Sequence, residues 1–343
     1  MKLLVNQPTN EETAQVLVRS KLRAVSRRMG FNAAMRERIE LVAMELMSNQ
    51  AKFATGTGMV QAWEITEPYP ALDLFALDYG PGIAHLPAAM EDGYTTARTM
   101  GKGLGAIRRL AHRSEFYTLP ASVAPDSPWH GMSVWGRFYL STPIKDPRYE
   151  IGSFLRAYQD DRHNGDCISM KLEGNSLKWL HMDGLGHGKS AYDATVGTAE
   201  IMQEGSTPMH TMETLSGSMK GTRGAVAIAA ELDLETSSGT LCGVGDMAAY
   251  MVCNGQRRSI SFAPGVLGHE HRSLEALPLN FPPQSLLMTA SDGIRRSWNL
   301  DTFPGLWRLH PQLIALFLGN TAGRGNDDKS LFVIRTTPTR GNE

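Results

Sequence analysis

The most informative segment of this chain reads His181-Met182-Asp183-Gly184-Leu185-Gly186-His187-Gly188. An acidic residue is followed by glycines at alternate positions, and glycine lets the backbone fold tightly around a group that the carboxylate holds. Mg²⁺ and Mn²⁺ prefer carboxylate, carbonyl and water oxygens, so a hard divalent cation is the expected guest. Because Asp-Gly is also a common turn signal, this segment alone leaves an ordinary turn equally open.

Length, composition and net charge limit the class of protein to which this chain can belong. A length of 343 residues indicates two domains, and 42% hydrophobic with 20% charged residues is ordinary for a globular chain. The formal net charge of −1 gives no global case for binding nucleic acid or an anionic membrane. The cysteines lack CxxC spacing and fit buried thiols in a reducing compartment. With no signal peptide and no apolar run of the roughly 20 residues that span a bilayer, we expect a cytoplasmic protein.

Two helices are predicted in the first half, over 11–29 and from a cap at Asn32 to about residue 53. On the second helix, Glu45 and Asn49 lie one turn apart on the same face. A solvated pair is the commoner case for such residues. The two could also line a nucleotide pocket, with the amide holding Mg²⁺ and the carboxylate orienting a nucleophile.

Glycine clusters follow the predicted strands over 60–66 and 71–78. Asp78 ends the second strand in the sequence Asp-Tyr-Gly-Pro-Gly, and a buried aspartate there can accept a hydrogen bond from an amine such as that of adenine. Farther on, a Gly-Lys-Gly-Leu-Gly run over 101–105 precedes a helix predicted over 106–112. Free N–H groups at a helix N-terminus can bind phosphate, although each cluster alone is more often just a turn.

The order of these motifs resembles the ATP-binding (Bergerat) fold of the GHKL superfamily over about residues 10–140. The Glu-Asp-Gly-Tyr-Thr-Thr phrase at 91–96 is most similar to the anti-sigma and switch serine kinases of partner-switching systems, the RsbT type. The resemblance implies an N-terminal α/β sandwich, Asn49 as the ligand of an ATP-bound Mg²⁺, Glu45 as the base towards a substrate hydroxyl, and Asp78 as the adenine reader. The implied nucleotide loops contain Gly80, Gly82, Gly101, Lys102, Gly103, Leu104 and Gly105. The sequence departs from close relatives at Tyr79 and at Met132.

Two prolines and mixed charge mark a linker over 143–150 between domains at 1–142 and 151–338. In the second domain we predict strands over 167–172, 176–182, 241–252 with a break at 243–245, 286–294 and 331–336, and a helix over 189–202. Acidic residues stand at the edges of these elements in the ordered set Gly-Asp, Asp-Gly-x-Gly-His-Gly, Ser-Asp-Gly-Ile and Asp-Asp-x-Ser. Each is unremarkable as a turn former, but the ordered set is not expected by chance.

That set resembles the metal-dependent protein phosphatases of type 2C in their bacterial SpoIIE-like branch, and a Thr-Arg-Gly-Ala segment at 222–225 is similar to RsbX-type stressosome phosphatases. The resemblance implies an αββα sandwich with two Mn²⁺ or Mg²⁺ ions that activate a water. The implied metal ligands are Asp166, the bridging catalytic Asp183, the carbonyl of Gly184, Asp292 and Asp327, with Asp328 as the fallback for the last.

The roles of two residues near the implied metal centre, His187 and Arg223, are left open. His187 could protonate the leaving oxygen or only support its loop, and Arg223 could meet the phosphate or be structural.

Three functions are therefore open. The leading hypothesis is a bifunctional regulator, an ATP-dependent serine/threonine kinase joined to a Mn²⁺- or Mg²⁺-dependent serine/threonine phosphatase. Its implied substrate is a STAS-domain anti-sigma antagonist or stressosome protein, and a homodimer is possible. The alternative keeps the phosphatase and makes the first domain a non-catalytic ATP sensor or partner clamp. A scaffold with two vestigial pockets is the third.

Overall fold

The computed structural model describes residues 1–9, 13–54, 58–90, 103–142, 148–202 and 206–337. The chain divides into two compact units, one formed by residues 1–144 with 301–309 and the other by 145–300 with 310–343. Across the described ranges, no helix is both long and apolar enough to cross a bilayer.

The first unit is a five-stranded antiparallel sheet with helices packed on one face. Its strands are β1 (Lys2–Pro8), β2 (Met59–Ile65), β3 (Ala71–Leu77), β4 (Arg113–Leu119) and β5 (Gly131–Tyr139), in the spatial order β1-β2-β3-β5-β4. Its helices are α1 (Ala14–Arg28), α2 (Ala33–Phe53), α3 (Leu86–Ala89) and α4 (Gly103–Leu110). Leu22 of α1, Leu46 of α2 and Ile107 of α4 share one buried core with the sheet. The predicted α/β sandwich is confirmed.

The helix boundaries follow their capping residues. Asn32 caps α2 as predicted, because its side chain accepts a hydrogen bond from the Met35 amide at 2.8 Å. α1 begins at Ala14, later than predicted, and the side chain of Thr13 before it makes no capping bond. α4 begins at Gly103, three residues before the predicted start, so Gly103, Leu104 and Gly105 lie in its first turn.

A buried ion pair ties two central strands of this sheet together. Asp73 of β3 lies opposite Arg137 of β5, and the guanidinium donates to both carboxylate oxygens at 2.7 Å. The two side chains are 0% and 7% exposed. Because a bidentate pair satisfies both groups, the charges are tolerated at a depth where either one alone would be costly.

Asp73→Asn is expected to lower the free energy of unfolding of this unit by about 3–5 kcal/mol, since Arg137 then keeps an uncompensated buried charge. Hydrogen exchange of peptides from β3 and β5 measures the change. The matched control is Glu64→Gln, which breaks the more exposed Arg28–Glu64 pair at 3.0 Å and should cost about 0–1 kcal/mol. Equal effects of the two variants would contradict the assignment.

The second unit contains two five-stranded antiparallel sheets. The β8 sheet has the order β13-β10-β9-β8-β7, and the β14 sheet has the order β12-β11-β14-β15-β6. The strands are β6 (Tyr149–Arg156), β7 (Asp166–Glu173), β8 (Ser176–Gly184), β9 (Ala225–Asp233), β10 (Ser238–Val244), β11 (Ala248–Cys253), β12 (Gln256–Ile260), β13 (Ala276–Asn280), β14 (Leu286–Ala290) and β15 (Lys329–Thr336). The helices are α5 (Lys189–Thr195), α6 (Pro208–Ser218) and α7 (Pro311–Thr321).

Four layers result from the packing of these elements. The inner faces of the two sheets share an apolar core in which Trp179 of β8 packs on Phe332 of β15, with ring centroids 5.6 Å apart. α6 covers the outer face of the β8 sheet through Met212 and Leu215. α7 packs against β6 and β15 of the other sheet and is buried over most of its length. The predicted αββα sandwich is confirmed.

Glycines change two of the predicted elements. The helix predicted over 189–202 ends at Thr195, since Gly197 has a φ of +79°, and a short 3₁₀ helix follows. The strand predicted over 241–252 with a break at 243–245 is two strands, β10 and β11, which belong to different sheets. Gly245 between them has a φ of +89°, a conformation that favours glycine.

Candidate functional site

Two acidic residues face each other at one end of the β8 sheet. Asp166, the first residue of β7, is in register with Asp183 near the end of β8. Asp166 is only 4% exposed. Asp292 follows β14 in the other sheet, and its backbone amide lies 3.4 Å from Oδ2 of Asp183. The fold therefore brings together three of the predicted ligands from distant parts of the chain.

Mutual repulsion marks this cluster. Burial and the charge of Asp183 raise the pKa of Asp166 well above its ordinary value. Burial and then the charges of Asp292, Asp327 and Asp246 raise the pKa of Asp183. Burial, Asp327 and Asp246 likewise raise the pKa of Asp292. Carboxylates so placed bind protons or cations, because either one relieves the repulsion.

The carboxylate oxygens of this cluster are of the type that binds a hard divalent cation. Oδ2 of Asp166 is buried without a hydrogen-bond partner, which is an unusual and costly state for a carboxylate oxygen. Oxygen ligands of this type are those that Mg²⁺ and Mn²⁺ take in proteins. Within the described ranges, however, no three side chains of His, Cys, Asp or Glu already form a group that could hold an ion.

The structure separates the two adjacent candidates before β15. Asp328 is 2% exposed, and its oxygens accept from the backbone amides of Tyr158 and Gly165, each at 2.7 Å. Asp327 instead accepts from the amide of Asp328 at 2.9 Å, and its charge acts on Asp183 and Asp292. Asp328 therefore fixes loops, which supports the choice of Asp327 as the ligand.

Asp246 was not singled out from the sequence. It follows Gly245 between β10 and β11, and its charge helps to raise the pKa of both Asp183 and Asp292. Its backbone carbonyl accepts from the Arg296 guanidinium. The sequence contained a signal, since Gly-Asp here repeats the dipeptide Gly-Asp that ends in Asp166.

His187 and Arg223 contact the loop after β8. The His187 ring packs on Tyr158 with centroids 4.7 Å apart. The Arg223 guanidinium donates to the carbonyl of Leu185 at 3.3 Å, beside Gly186, which has a φ of +79°. These contacts favour the structural interpretation of both side chains over roles in proton transfer or phosphate binding.

The second candidate site lies in the first unit, between α2 and α4. A Cβ atom placed on Gly103 would lie 3.1 Å from the amide atoms of Asn49 and 3.5 Å from Oε2 of Glu45. The predicted pair therefore points at the N-terminus of α4, whose first turn also carries Leu104 and Gly105. Gly101 and Lys102 lie outside the described residues.

Asp78 organises the loop after β3. Its Oδ1 accepts from the amides of Gly80 at 2.9 Å and Met132 at 3.1 Å. Burial raises the pKa of Asp78, and these two amides act in the opposite direction. The indole of Trp129, a contact that the sequence did not indicate, donates to the Asp78 carbonyl at 2.9 Å. Met132, where the sequence departs from the pattern of the resembled family, thus contacts the aspartate through its backbone.

Gly82 forms the rest of this loop. It has a φ of +71°, and the following amide, Ile83, donates to the hydroxyl of Thr118 at 2.6 Å. Tyr79 is half exposed. The loop is thus held by Thr118 of β4, the second strand along from β3, and Asp78 stays at the end of β3 where the adenine reader is expected.

One curated relative matches the first unit. The serine/threonine-protein kinase RsbT of Bacillus subtilis (strain 168) is 32% identical over 96 residues, which are 28% of this chain and 71% of that protein. No family model matches the chain.

Solved structures match the larger part of the chain. A crystal structure of RsbX in complex with magnesium superposes with a TM-score of 0.50 at 16% identity, covering 57% of this chain and 98% of RsbX. The phosphatase domain of SpoIIE from Bacillus subtilis gives a TM-score of 0.42 at 20% identity, covering 57% of this chain and 95% of that domain. The similarity to RsbX shows the fold of the second unit.

Proposed function

The chain belongs, through its N-terminal region, to the family of the serine/threonine-protein kinase RsbT, and on that premise we propose that it is a cytoplasmic partner-switching regulator with two opposed activities. The first unit transfers phosphate from ATP to a serine or threonine of a partner protein. The second unit, which has the fold of RsbX, removes it. The proposed partner is a STAS-domain anti-sigma antagonist or a stressosome protein, the substrate class of the systems that the two halves resemble.

The phosphatase proposal rests on one observation, the crowding of the buried carboxylate of Asp166 with the partly buried carboxylates of Asp183, Asp292 and Asp327. Asp166, Asp183 and the Gly184 carbonyl would hold one divalent ion, and Asp183, Asp292 and Asp327 the other. Bound there, two Mn²⁺ or Mg²⁺ ions supply a hydroxide near neutral pH and neutralise the phosphoryl oxygens. The protein's own part is to present the carboxylates ionised and to keep the loop after β8 in place.

The kinase proposal rests on the proximity of the Glu45 and Asn49 side chains to Gly103 at the start of α4. Asn49 offers an amide oxygen to the Mg²⁺ that accompanies ATP. Glu45, one turn earlier on the same face, is placed to accept the proton of an attacking hydroxyl. The free N–H groups at the N-terminus of α4 suit phosphate oxygens, and Asp78 with the loop at Gly80 and Gly82 suits adenine.

A non-catalytic first unit is the competing proposal. It keeps the phosphatase and uses the ATP pocket only to sense nucleotide or to hold the partner. Retention of a carboxylate at Glu45 beside Asn49 favours the kinase, because nucleotide binding alone does not need a base.

Asp183→Asn is expected to abolish release of phosphate from a phosphoserine partner with Mn²⁺, since the variant loses the charge that both ions share. Phosphate release and calorimetric Mn²⁺ titration measure the effect. Asp193→Asn is the matched control, because Asp193 on α5 is half exposed and pairs only with Lys189 among the described contacts, at 2.6 Å. Full activity in the Asp183 variant would reject the metal assignment.

Glu45→Gln is expected to lower phosphate transfer from labelled ATP to the partner by about 100-fold or more, the typical contribution of a general base. ATP affinity should change little, because the amide keeps the shape of the pocket. Glu37→Gln, an exposed position on the same helix, serves as the control. Absence of transfer by the unaltered protein, with ATP still bound, would favour the sensor instead.

A further inference from the structure

The side chains on the inner face of β8 change from apolar to acidic along the strand. Side chains two residues apart point to the same face of a strand, and on β8 this face carries Trp179, His181 and then Asp183. Trp179 belongs to the apolar core between the sheets. Asp183 belongs to the carboxylate cluster. His181 is 0% exposed and lies between the two environments.

On the opposite sheet, β14 and β15 show the same change from apolar to polar side chains. Along β14, Leu287 of the core is followed two residues later by Thr289 and then by Ser291. Along β15, Phe332 of the core is preceded by Ser330. Thr289, Ser291 and Ser330 are all buried. Together with His181 they form a polar layer between the apolar core and the carboxylates.

Hydrogen bonds cross from one sheet to the other in this layer. Nδ1 of His181 lies 2.7 Å from Oγ1 of Thr289, and Nε2 lies 2.7 Å from Oγ of Ser330. The backbone amide of Ser330 in turn donates to the hydroxyl of Ser291, the residue directly before Asp292, at 3.0 Å. The imidazole therefore joins β8, which carries Asp183, to both strands that lie next to Asp292 and Asp327.

The imidazole spans the space between the sheets with both of its nitrogens. In a neutral imidazole one ring nitrogen donates and the other accepts, so one hydroxyl donates to the ring and the other accepts from it. Thr289 belongs to β14 and Ser330 to β15, so a single side chain of β8 binds both strands of the opposite sheet.

We propose that His181 is a positioning residue for the metal centre, which joins the two sheets and fixes the spacing between the carboxylates of the β8 sheet and those of the β14 sheet. The inference rests on the proposed phosphatase function. Asp166 and Asp183 lie in β7 and β8 of one sheet, whereas Asp292 follows β14 and Asp327 precedes β15 of the other. A shared pair of ions therefore requires the sheets to keep one separation. Removal of a residue that positions a metal ligand without binding the metal itself typically lowers metal affinity.

His181→Leu is the decisive variant, read out by the dissociation constant for Mn²⁺ from calorimetry on the full chain. Loss of the imidazole breaks the link between Thr289 and Ser330, and we expect binding weakened by about 10- to 100-fold. His181→Gln retains a donor towards Ser330 and should recover part of the affinity. A purely structural role would not produce this graded recovery.

Leu177→Ala is the control for general destabilisation. Leu177 is buried in the same core, on the same face of the same strand, four residues before His181. The substitution should lower the thermal unfolding midpoint and leave Mn²⁺ affinity unchanged. Equal Mn²⁺ affinity in His181→Leu and the unaltered protein would overturn the proposal, as would an equal loss of affinity in Leu177→Ala.

A triple variant covers the case in which His181→Leu alone does not fold. Combining it with Thr289→Val and Ser330→Ala removes the hydroxyls that would otherwise be buried without partners, so stability should largely return. Mn²⁺ affinity should remain low, and restored affinity would refute the positioning role. If the unaltered protein binds no Mn²⁺, the phosphatase assignment itself fails, which separates the two outcomes.

Discussion

Repulsion between Asp166 and Asp183 is the constraint on which the second unit depends. The two carboxylates are directly opposite each other on adjacent antiparallel strands, and like charges in that position destabilise a sheet. Burial makes the repulsion stronger, because little water screens it. The strands nevertheless stay paired, since the core between the two sheets, with Trp179 against Phe332, holds them from the other end. The apolar core thus holds in place a charge arrangement that a proton or a cation relieves.

The hydrogen bonds made by each carboxylate oxygen distinguish aspartates with a structural role from those that can bind a cation. Asp328 has both oxygens engaged by backbone amides, so it holds two loops and has little capacity left. Asp166 is equally buried but keeps one oxygen without a partner. The two residues are alike in sequence terms, each an aspartate at a strand edge. What distinguishes them is the hydrogen bonding contributed by residues far away along the chain.

Local signals in the sequence predicted much of this architecture. The cap at Asn32, the strand that ends in Asp78 and the positions of Asp166 and Asp183 at strand edges were all readable, because each depends on nearby residues. The break in the strand over 241–252 was readable from its glycines, but the assignment of its two halves to different sheets was not. His181 was quoted only as part of a motif. Its two partners stand 108 and 149 residues away, so no local pattern could have shown its role.

The two units treat buried aspartates in opposite ways, and this difference bears on function. In the first unit, Asp73 is neutralised by Arg137, and Asp78 is stabilised by two backbone amides. A site for ATP can be built this way, because the nucleotide brings its own Mg²⁺. In the second unit, the charge of Asp183 acts on Asp166 and the charge of Asp292 acts on Asp183. No arginine or lysine is paired with Asp166 or Asp183 in the described contacts. A hydrolytic site for a phosphoprotein must take its cations from solution, and an uncompensated cluster is the electrostatic condition for doing so.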